Sequence, residues 1–203
     1  FDIMVSTKKS FIRRIFLMDI VTLLELLVKG LNEAEEKFFE NPKDFYALET
    51  SVKSTTEAFA ASYLGMVLSS INEQIYKDVW RKGKYNVQRN DKRTIISSVG
   101  DVTFDSTYYQ SCKNKGEYHY LTEEIRGITA HERFSEAAEV AMLTEALKTS
   151  YEEATKVIPS KSKITKTTVM NKVHGIAEEI PEEKPEKLKK VPYLFIEADE
   201  DHV

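Results

Sequence analysis

The sequence predicts an α+β fold that is mainly helical, and three patterns support this prediction. Between residues 45 and 80, apolar side chains recur three, four or seven positions apart, which is the spacing of one helix face. Residues 85–109 are instead rich in Val, Ile, Thr and Tyr and alternate in polarity, as antiparallel strands do. Helical spacing returns after Gly127, where short apolar stripes follow residues that can cap a helix.

The composition sets limits on the class of protein. The 203 residues are 41% hydrophobic and carry a net charge of −4, which is enough apolar material for a folded core. The single cysteine, Cys112, excludes a disulfide framework and a cysteine-based zinc cluster. The longest apolar stretch, residues 15–28, contains Asp19, Thr22 and Glu25. It falls short of the roughly 20 apolar residues that a bilayer span needs, so we expect no membrane segment.

Residues 1–80 form the predicted helical region. Residues 11–29 are apolar on most sides, which is typical of a buried or partner-facing helix. The Asn-Pro pair at 41–42 predicts a helix boundary. The apolar spacing of residues 45–80 then predicts one long amphipathic helix, despite Gly65.

Residues 81–128 form the predicted β-meander. The Asn-Asp pair at 90–91 and the Gly-Asp pair at 100–101 are typical of turns, so we expect an antiparallel hairpin or a three-stranded meander. A further turn at 113–116 precedes a short predicted strand at 117–121.

Residues 129–179 form a predicted unit of three short helices. Each helix has a candidate N-cap, and these are Ser135, Ser150 and Thr165. The second helix is expected to end near Ile158, before a Pro-Ser pair. Three short helices joined by tight turns are similar to a helix-turn-helix unit. A charged linker at 180–192 and a closing strand at 193–203 follow, and because that strand has no partner after it we expect a piece of a longer protein.

The net charge conceals two basic blocks. Residues 81–94 contain six Lys or Arg residues against one acid, and residues 156–174 contain five lysines and no acid. Clustered basic side chains favour contact with nucleic-acid phosphates, although they also occur on solvated faces. The candidate DNA-contacting residues are Arg81, Lys82, Lys84, Arg89, Lys161, Lys163, Lys166, Thr167, Thr168, Asn171 and Lys172.

The second block carries the more specific signal, because it spans a predicted turn and the start of a helix. Lysine suits phosphates, whereas Asn and Thr suit base edges in the major groove. The first turn of a recognition helix is where bases are normally contacted. Tyrosines in the meander can also stack on bases, but aromatic residues in strands usually pack across strands; they are Tyr108, Tyr109, Tyr118 and Tyr120.

Three acids follow the apolar segment of the closing strand. Alternation places Glu197, Asp199 and Asp201 on one face of that strand. Carboxylates there are costly to bury unless they are solvated, paired or bound to a metal, and Mg²⁺ prefers such oxygen ligands. A solvated acidic terminus is the simpler alternative.

Several blocks together resemble a bacterial insertion-sequence transposase family, related to Mutator-type DDE transposases, that was formerly catalogued as an uncharacterised protein family. The resemblance covers about residues 80–203, and the closing nonapeptide is its most specific block. The blocks are Thr107-Tyr108-Tyr109, Gly116-Glu117-Tyr118, Tyr120-Leu121, Gly127-Ile128, His131-Glu132-Arg133, Ser150-Tyr151, the run from Thr167 to Lys172 and the run from Phe195 to Val203.

The resemblance implies an N-terminal DNA-binding region followed by a ribonuclease-H-like catalytic domain, of which this chain would hold only the first strand. Asp199, with Asp201 as the alternative, would be the first acid of an Asp-Asp-Glu triad, and both would be metal ligands for Mg²⁺ or Mn²⁺ in the intact protein. The partner would be DNA at the terminal inverted repeats of a mobile element, in the bacterial cytoplasm. Two alternatives remain: a non-catalytic DNA-binding remnant of a transposase, and a helical module in which residues 11–80 drive homo-oligomerisation.

Overall fold

A computed structural model describes residues 2–126, 128, 132–177 and 193 and confirms an α+β fold with a three-stranded antiparallel sheet. The sheet order is β1-β2-β3. The elements are α1 (Asp2–Glu40), α2 (Phe45–Lys77), β1 (Tyr85–Ser97), β2 (Gly100–Ser111), β3 (Tyr118–His119), α3 (Leu121–Arg126), α4 (Glu136–Ala146), α5 (Tyr151–Ala154) and α6 (Lys166–Ala177). The part of the chain that the structure describes divides into two compact units, one up to residue 140 together with 158–163, the other of residues 141–157 and those from 164 onward.

The two long helices of the first unit follow the predicted boundary at residues 41–42. The helix α1 ends at Glu40, and Asp44 caps α2 by accepting a hydrogen bond from the Ala47 N–H at 3.0 Å. The helix α2 ends at Lys77, close to the predicted end. On α1 four apolar side chains, Val21, Leu24, Leu26 and Val28, are 44–61% exposed, so one face of this helix is open and it is not buried on all sides, as one alternative expected.

The hairpin differs from the predicted turn pattern. The strand β1 continues through Asn90 and Asp91, which pair with Thr107 and Ser106 of β2, so the turn expected at 90–91 is wrong. The partner strand overrides the local turn preference because it offers the backbone a complete ladder. The reversal occurs at residues 98–99, and Gly100 begins β2 with a φ of +117°, a conformation that favours glycine.

The third strand is shorter than expected. Only Tyr118 and His119 pair with β2, and the segment from Leu121 turns into α3 instead of completing a strand at 117–121. The reason is tertiary, since Leu121 is buried in the same apolar cluster as Ile75 and Tyr109. The helical turn that follows also buries Glu123, which forms an ion pair with Arg93.

The helix α2 covers the open edge of β2. Ser69 Oγ accepts a hydrogen bond from the Asp105 N–H at 3.0 Å, and Asn72 Oδ1 accepts one from the Thr107 N–H at 2.9 Å. Asn72 Oδ1 also accepts from the Thr122 hydroxyl at 2.9 Å. Gly65 lies against the backbone of Thr103, where a side chain would not fit. These contacts satisfy backbone donors that an exposed strand edge would leave free.

The short helices begin where the sequence predicts. The Ala138 N–H donates to Ser135 Oγ at 3.2 Å, the Glu153 N–H donates to Ser150 Oγ at 3.3 Å, and the Thr168 N–H donates to Thr165 Oγ1 at 3.3 Å. The helix α5 is a single turn and stops before Ile158. Within the described residues, no helix combines the length and the apolarity that a bilayer span requires.

Candidate nucleic-acid interface

The helix α6 presents a polar face in the second unit. Val169 is buried, whereas Lys166, Thr167 and Asn171 are exposed. Thr167 and Asn171 are spaced four apart and His174 follows three later, so these exposed side chains form one stripe opposite Val169. The first turn contains no acidic residue. The start of this helix can therefore approach an anionic polymer without repulsion from an acid in its own first turn.

Two of the predicted contact residues in α6 are less accessible. Thr168 and Lys172 are half-buried. The Thr168 hydroxyl lies 2.9 Å from the Thr165 hydroxyl, so it takes part in the cap at the helix N-terminus. We therefore assign Thr168 to the cap and keep Lys166, Thr167 and Asn171 as the exposed candidates.

The loop at 158–163 belongs to the first unit, where side chains of the hairpin hold it. The Asp101 carboxylate accepts hydrogen bonds from the hydroxyls of Ser160 and Ser162 and from the Ser162 N–H. The Arg133 guanidinium donates to the Lys163 carbonyl at 2.9 Å. The lysines at 161 and 163 are exposed on this anchored loop. Their backbone is ordered by these bonds, which lowers the entropy that a phosphate contact would cost.

Sequence reasoning missed this anchor. Asp101 was assigned only to a turn, and its serine partners lie 59 and 61 residues further along the chain. No local pattern joins residues at that separation. The only available signal was the unusual density of serine and lysine in the loop.

The first basic block divides into buried and exposed residues. Arg81 was predicted to contact DNA, but it is only 8% exposed, and its guanidinium donates to the carbonyls of Tyr76 and Tyr85 at 2.8 and 3.1 Å. It therefore ties the end of α2 to the start of β1 instead of lying on an interface. Lys82 and Lys84 are exposed, as a phosphate contact requires.

Arg89 is exposed, but its charge is already compensated. Its Nε donates to Asp91 Oδ2 at 2.7 Å, and its terminal nitrogen donates to the Tyr120 hydroxyl at 3.1 Å. Tyr120 in turn donates to Asp91 Oδ2 at 2.7 Å. The hydrogen bonds from Tyr120 and then Arg89 lower the pKa of Asp91, and the bond to Asp91 raises the pKa of Arg89.

The tyrosines of the meander separate into a core residue and a surface group. Tyr109 is fully buried, and burial raises its pKa. The rings of Tyr108 and Tyr118 stack with centroids 5.2 Å apart and planes 7° apart, and the Tyr120 ring lies 4.7 Å from Tyr108. The Arg89 guanidinium lies 4.3 Å from the centre of the Tyr108 ring. We call Arg89, Tyr108, Tyr118 and Tyr120 the tyrosine platform.

The predicted metal ligands cannot be placed. Asp199 and Asp201, and the strand that would carry them, lie outside the described residues. The catalytic assignment and the Mg²⁺ or Mn²⁺ site therefore stay predictions.

The fold and the surfaces above define an α+β protein whose second unit presents a capped, acid-free helix start. The chain belongs to the uncharacterised protein family UPF0236, which it matches over residues 39–203. This match confirms membership of an uncharacterised protein family, whereas the relation of that family to DDE transposases stays a prediction.

Several relatives come from Caldanaerobacter subterraneus subsp. tengcongensis. One UPF0236 protein of this organism is 34% identical over 170 residues, which are 83% of this chain and 36% of the relative. Another is 32% identical over 180 residues, which are 88% of this chain and 35% of the relative. The chain thus spans about a third of the length of the curated relatives it matches. No solved structure matches it significantly.

Proposed function

We propose that this chain is the N-terminal DNA-binding portion of a DDE-type transposase that acts in DNA transposition. The observation that carries the proposal is the exposed stripe on α6, which begins at a capped helix start without acids. Such a helix would enter the major groove, with the terminal repeat of a mobile element as its target.

The stripe, together with Lys166 at the start of the same helix, supplies residue types that suit the two parts of a DNA contact. Lys166, in the first turn, would contact a phosphate and so contribute a salt-dependent share of the affinity. Asn171 would contact a base edge, because its side-chain amide can donate to and accept from a base at once, and Thr167 would do so through its hydroxyl. Val169 keeps the opposite side of α6 buried in the unit and so fixes which residues face outward.

The test is fluorescence anisotropy with a duplex that carries the terminal repeat, measured over a range of salt concentrations. We expect affinity to fall as salt rises, and Lys166→Glu to weaken binding and lower the slope of log affinity against log salt by about one or more. Asn171→Ala should cost about 1–3 kcal/mol on the repeat and much less on unrelated DNA.

Lys148→Glu is the matched control. Lys148 is also exposed and lies outside α6, so this variant has the same change in charge without touching the stripe. Binding without salt dependence, or an equal effect of the two lysine variants, would contradict the proposal.

The catalytic part of the proposal concerns the whole protein. By the resemblance, Asp199, or alternatively Asp201, would be the first acid of the triad. A version of the protein extended past residue 203 should cleave repeat DNA in a metal-dependent reaction, whereas the present chain should not. If neither version cleaves while both bind, the non-catalytic DNA-binding remnant is the better description.

A second candidate function, self-association, is favoured by the exposed apolar side chains of α1. Leu26 and Val28 are more than half exposed. Light scattering on the full chain should then give an oligomer that Leu26→Ser weakens. Leu147→Ser, which changes an exposed leucine outside α1, should leave the mass unchanged; a monomeric wild-type chain would dismiss this function.

A further inference from the structure

The tyrosine platform lies on the surface of the meander and has a fixed geometry. Gln110 Nε2 donates to the Tyr118 hydroxyl at 3.1 Å, and the Tyr120 hydroxyl donates to Asp91. Cross-strand pairing also sets the platform, because Arg89 is opposite Tyr108 and Tyr118 is opposite Gln110. The rings are therefore oriented before any ligand arrives, so little rotamer entropy remains to be lost on binding.

The outer ring of the platform is open to solvent. Tyr118 is 46% exposed although one ring face lies against Tyr108. A structural cross-strand pair does not require this exposure, since burying both rings would stabilise the fold more. A planar ligand could add a further layer to the stack on Tyr118.

Exposed lysines accompany the platform. Lys113 and Lys115 lie in the turn that leads into β3, and the Lys115 carbonyl accepts from the same Gln110 amide that holds Tyr118, at 2.6 Å. Arg89 has its charge compensated by Asp91. Lys113 and Lys115 are exposed cations of the turn that joins β2 to the strand of Tyr118. An aromatic face beside flexible cations suits a ligand that is planar at one end and anionic at the other.

We propose that the tyrosine platform binds an unpaired base of DNA, with Tyr118 stacking on the base and Lys113 and Lys115 contacting its phosphates. The proposal rests on the proposed DNA-binding function and names a second contact, which would hold a frayed or single-stranded end. The platform is sequence-tolerant, because every base has a π-face.

Three labelled probes test this: a blunt duplex, the same duplex with a short single-stranded thymidine tail, and the free thymidine oligomer. In fluorescence anisotropy with the full chain, the tail should raise the affinity. Tyr118→Ala should remove that gain and weaken oligomer binding roughly tenfold, while binding of the blunt duplex stays unchanged. Tyr118→Phe, which keeps the ring and loses only the bond to Gln110, should retain most of the gain.

The matched control is Tyr46→Ala, since Tyr46 lies on α2 and is 78% exposed. It should behave as the wild type on all probes. Fluorescence of Trp80, the chain's single tryptophan, should give the same unfolding midpoint for Tyr118→Ala and the wild type, which separates lost stacking from lost folding.

The outcomes also separate this inference from the proposed function. If Lys166→Glu loses binding of the blunt duplex while the gain in affinity from the tail still depends on Tyr118, both the role of α6 and the role of the platform are supported. Binding of the oligomer through Tyr118 without any binding of the blunt duplex overturns the role of α6 and supports the platform. Equal affinity of Tyr118→Ala and the wild type for the tailed probe overturns the platform, and tighter binding of an RNA oligomer overturns its assignment to DNA.

Discussion

Gly65→Ala should destabilise the first unit, although alanine is the better helix former. A Cβ added at Gly65 would lie closer than 3.0 Å to the carbonyl oxygen of Thr103 and 3.3 Å from its carbonyl carbon. Both groups are backbone, so no side chain can rotate away. The helix α2 and the strand β2 must separate by several tenths of an ångström, roughly the scale at which packing contacts are lost.

Moving α2 away from β2 would weaken the hydrogen bonds that join the two elements near Gly65. Ser69 and Asn72, one and two turns further along α2, accept from backbone N–H groups of β2. Overpacking costs about 1–3 kcal/mol, and each weakened bond costs about 1 kcal/mol. Alanine gains about 1 kcal/mol of helix propensity. The net loss in the free energy of unfolding is therefore about 1–4 kcal/mol.

Urea unfolding followed by Trp80 fluorescence measures this change, because Trp80 lies in the first unit. Gly116→Ala is the control, since its added Cβ would meet only Asn114 Oδ1 at an ordinary 3.5 Å. It should change the midpoint little. A Gly65→Ala protein as stable as the wild type, or more stable, would refute the reasoning about the close approach of α2 to β2.

Four further predictions concern polar groups. Arg81→Met should lower the free energy of unfolding by about 1–3 kcal/mol in the same urea experiment. The reason is that the carbonyls of Tyr76 and Tyr85 lose the guanidinium that donates hydrogen bonds to them. Asp101→Ala should increase tryptic cleavage after Lys161, because the loop loses the carboxylate that anchors it; unchanged cleavage would show that the anchor is dispensable. Folding lowers the pKa of Asp91. The hydrogen bonds of its carboxylate therefore stabilise the fold fully at pH values above the ordinary aspartate pKa of about 3.9, and this stabilisation is lost as the pH falls through the lower pKa of the folded protein. Asp91→Asn should flatten this part of the stability profile in acid, and an unchanged profile would count against the assignment. In base, the raised pKa of Tyr109 means that folding favours the neutral phenol. In an alkaline titration followed by absorbance, Tyr109 should therefore ionise at a higher pH than an exposed tyrosine.

Local signals predicted the helix starts correctly. Ser150 and Thr165 cap α5 and α6 because an N-cap depends on one hydroxyl and an N–H three residues away. The Asn-Pro pair at 41–42 separates α1 from α2 for a similarly local reason, since the residue before proline avoids helical geometry. These parts of the fold were predictable because nothing distant decides them.

Turn and strand predictions failed where a distant partner decided the outcome. The Asn-Asp pair at 90–91 has strong turn propensity, yet β2 pairs with both residues. The segment after His119 reads as a strand, yet the burial of Leu121 against α2 favours a helix. The sequence predicts a helix that continues despite Gly65, and the use of this glycine is visible only beside Thr103.

The candidate interface shows the same division. Sequence alone determined where basic and polar residues cluster, where their helix begins and which family the chain resembles. Each of these properties depends on residues that are close together in the sequence. Only the tertiary structure decided that Arg81 is buried, that Arg89 is paired with Asp91, and that Lys166 and Asn171 remain exposed. The physical reason is that exposure and charge pairing depend on groups brought together from distant parts of the chain, and a one-dimensional pattern contains no distance between them.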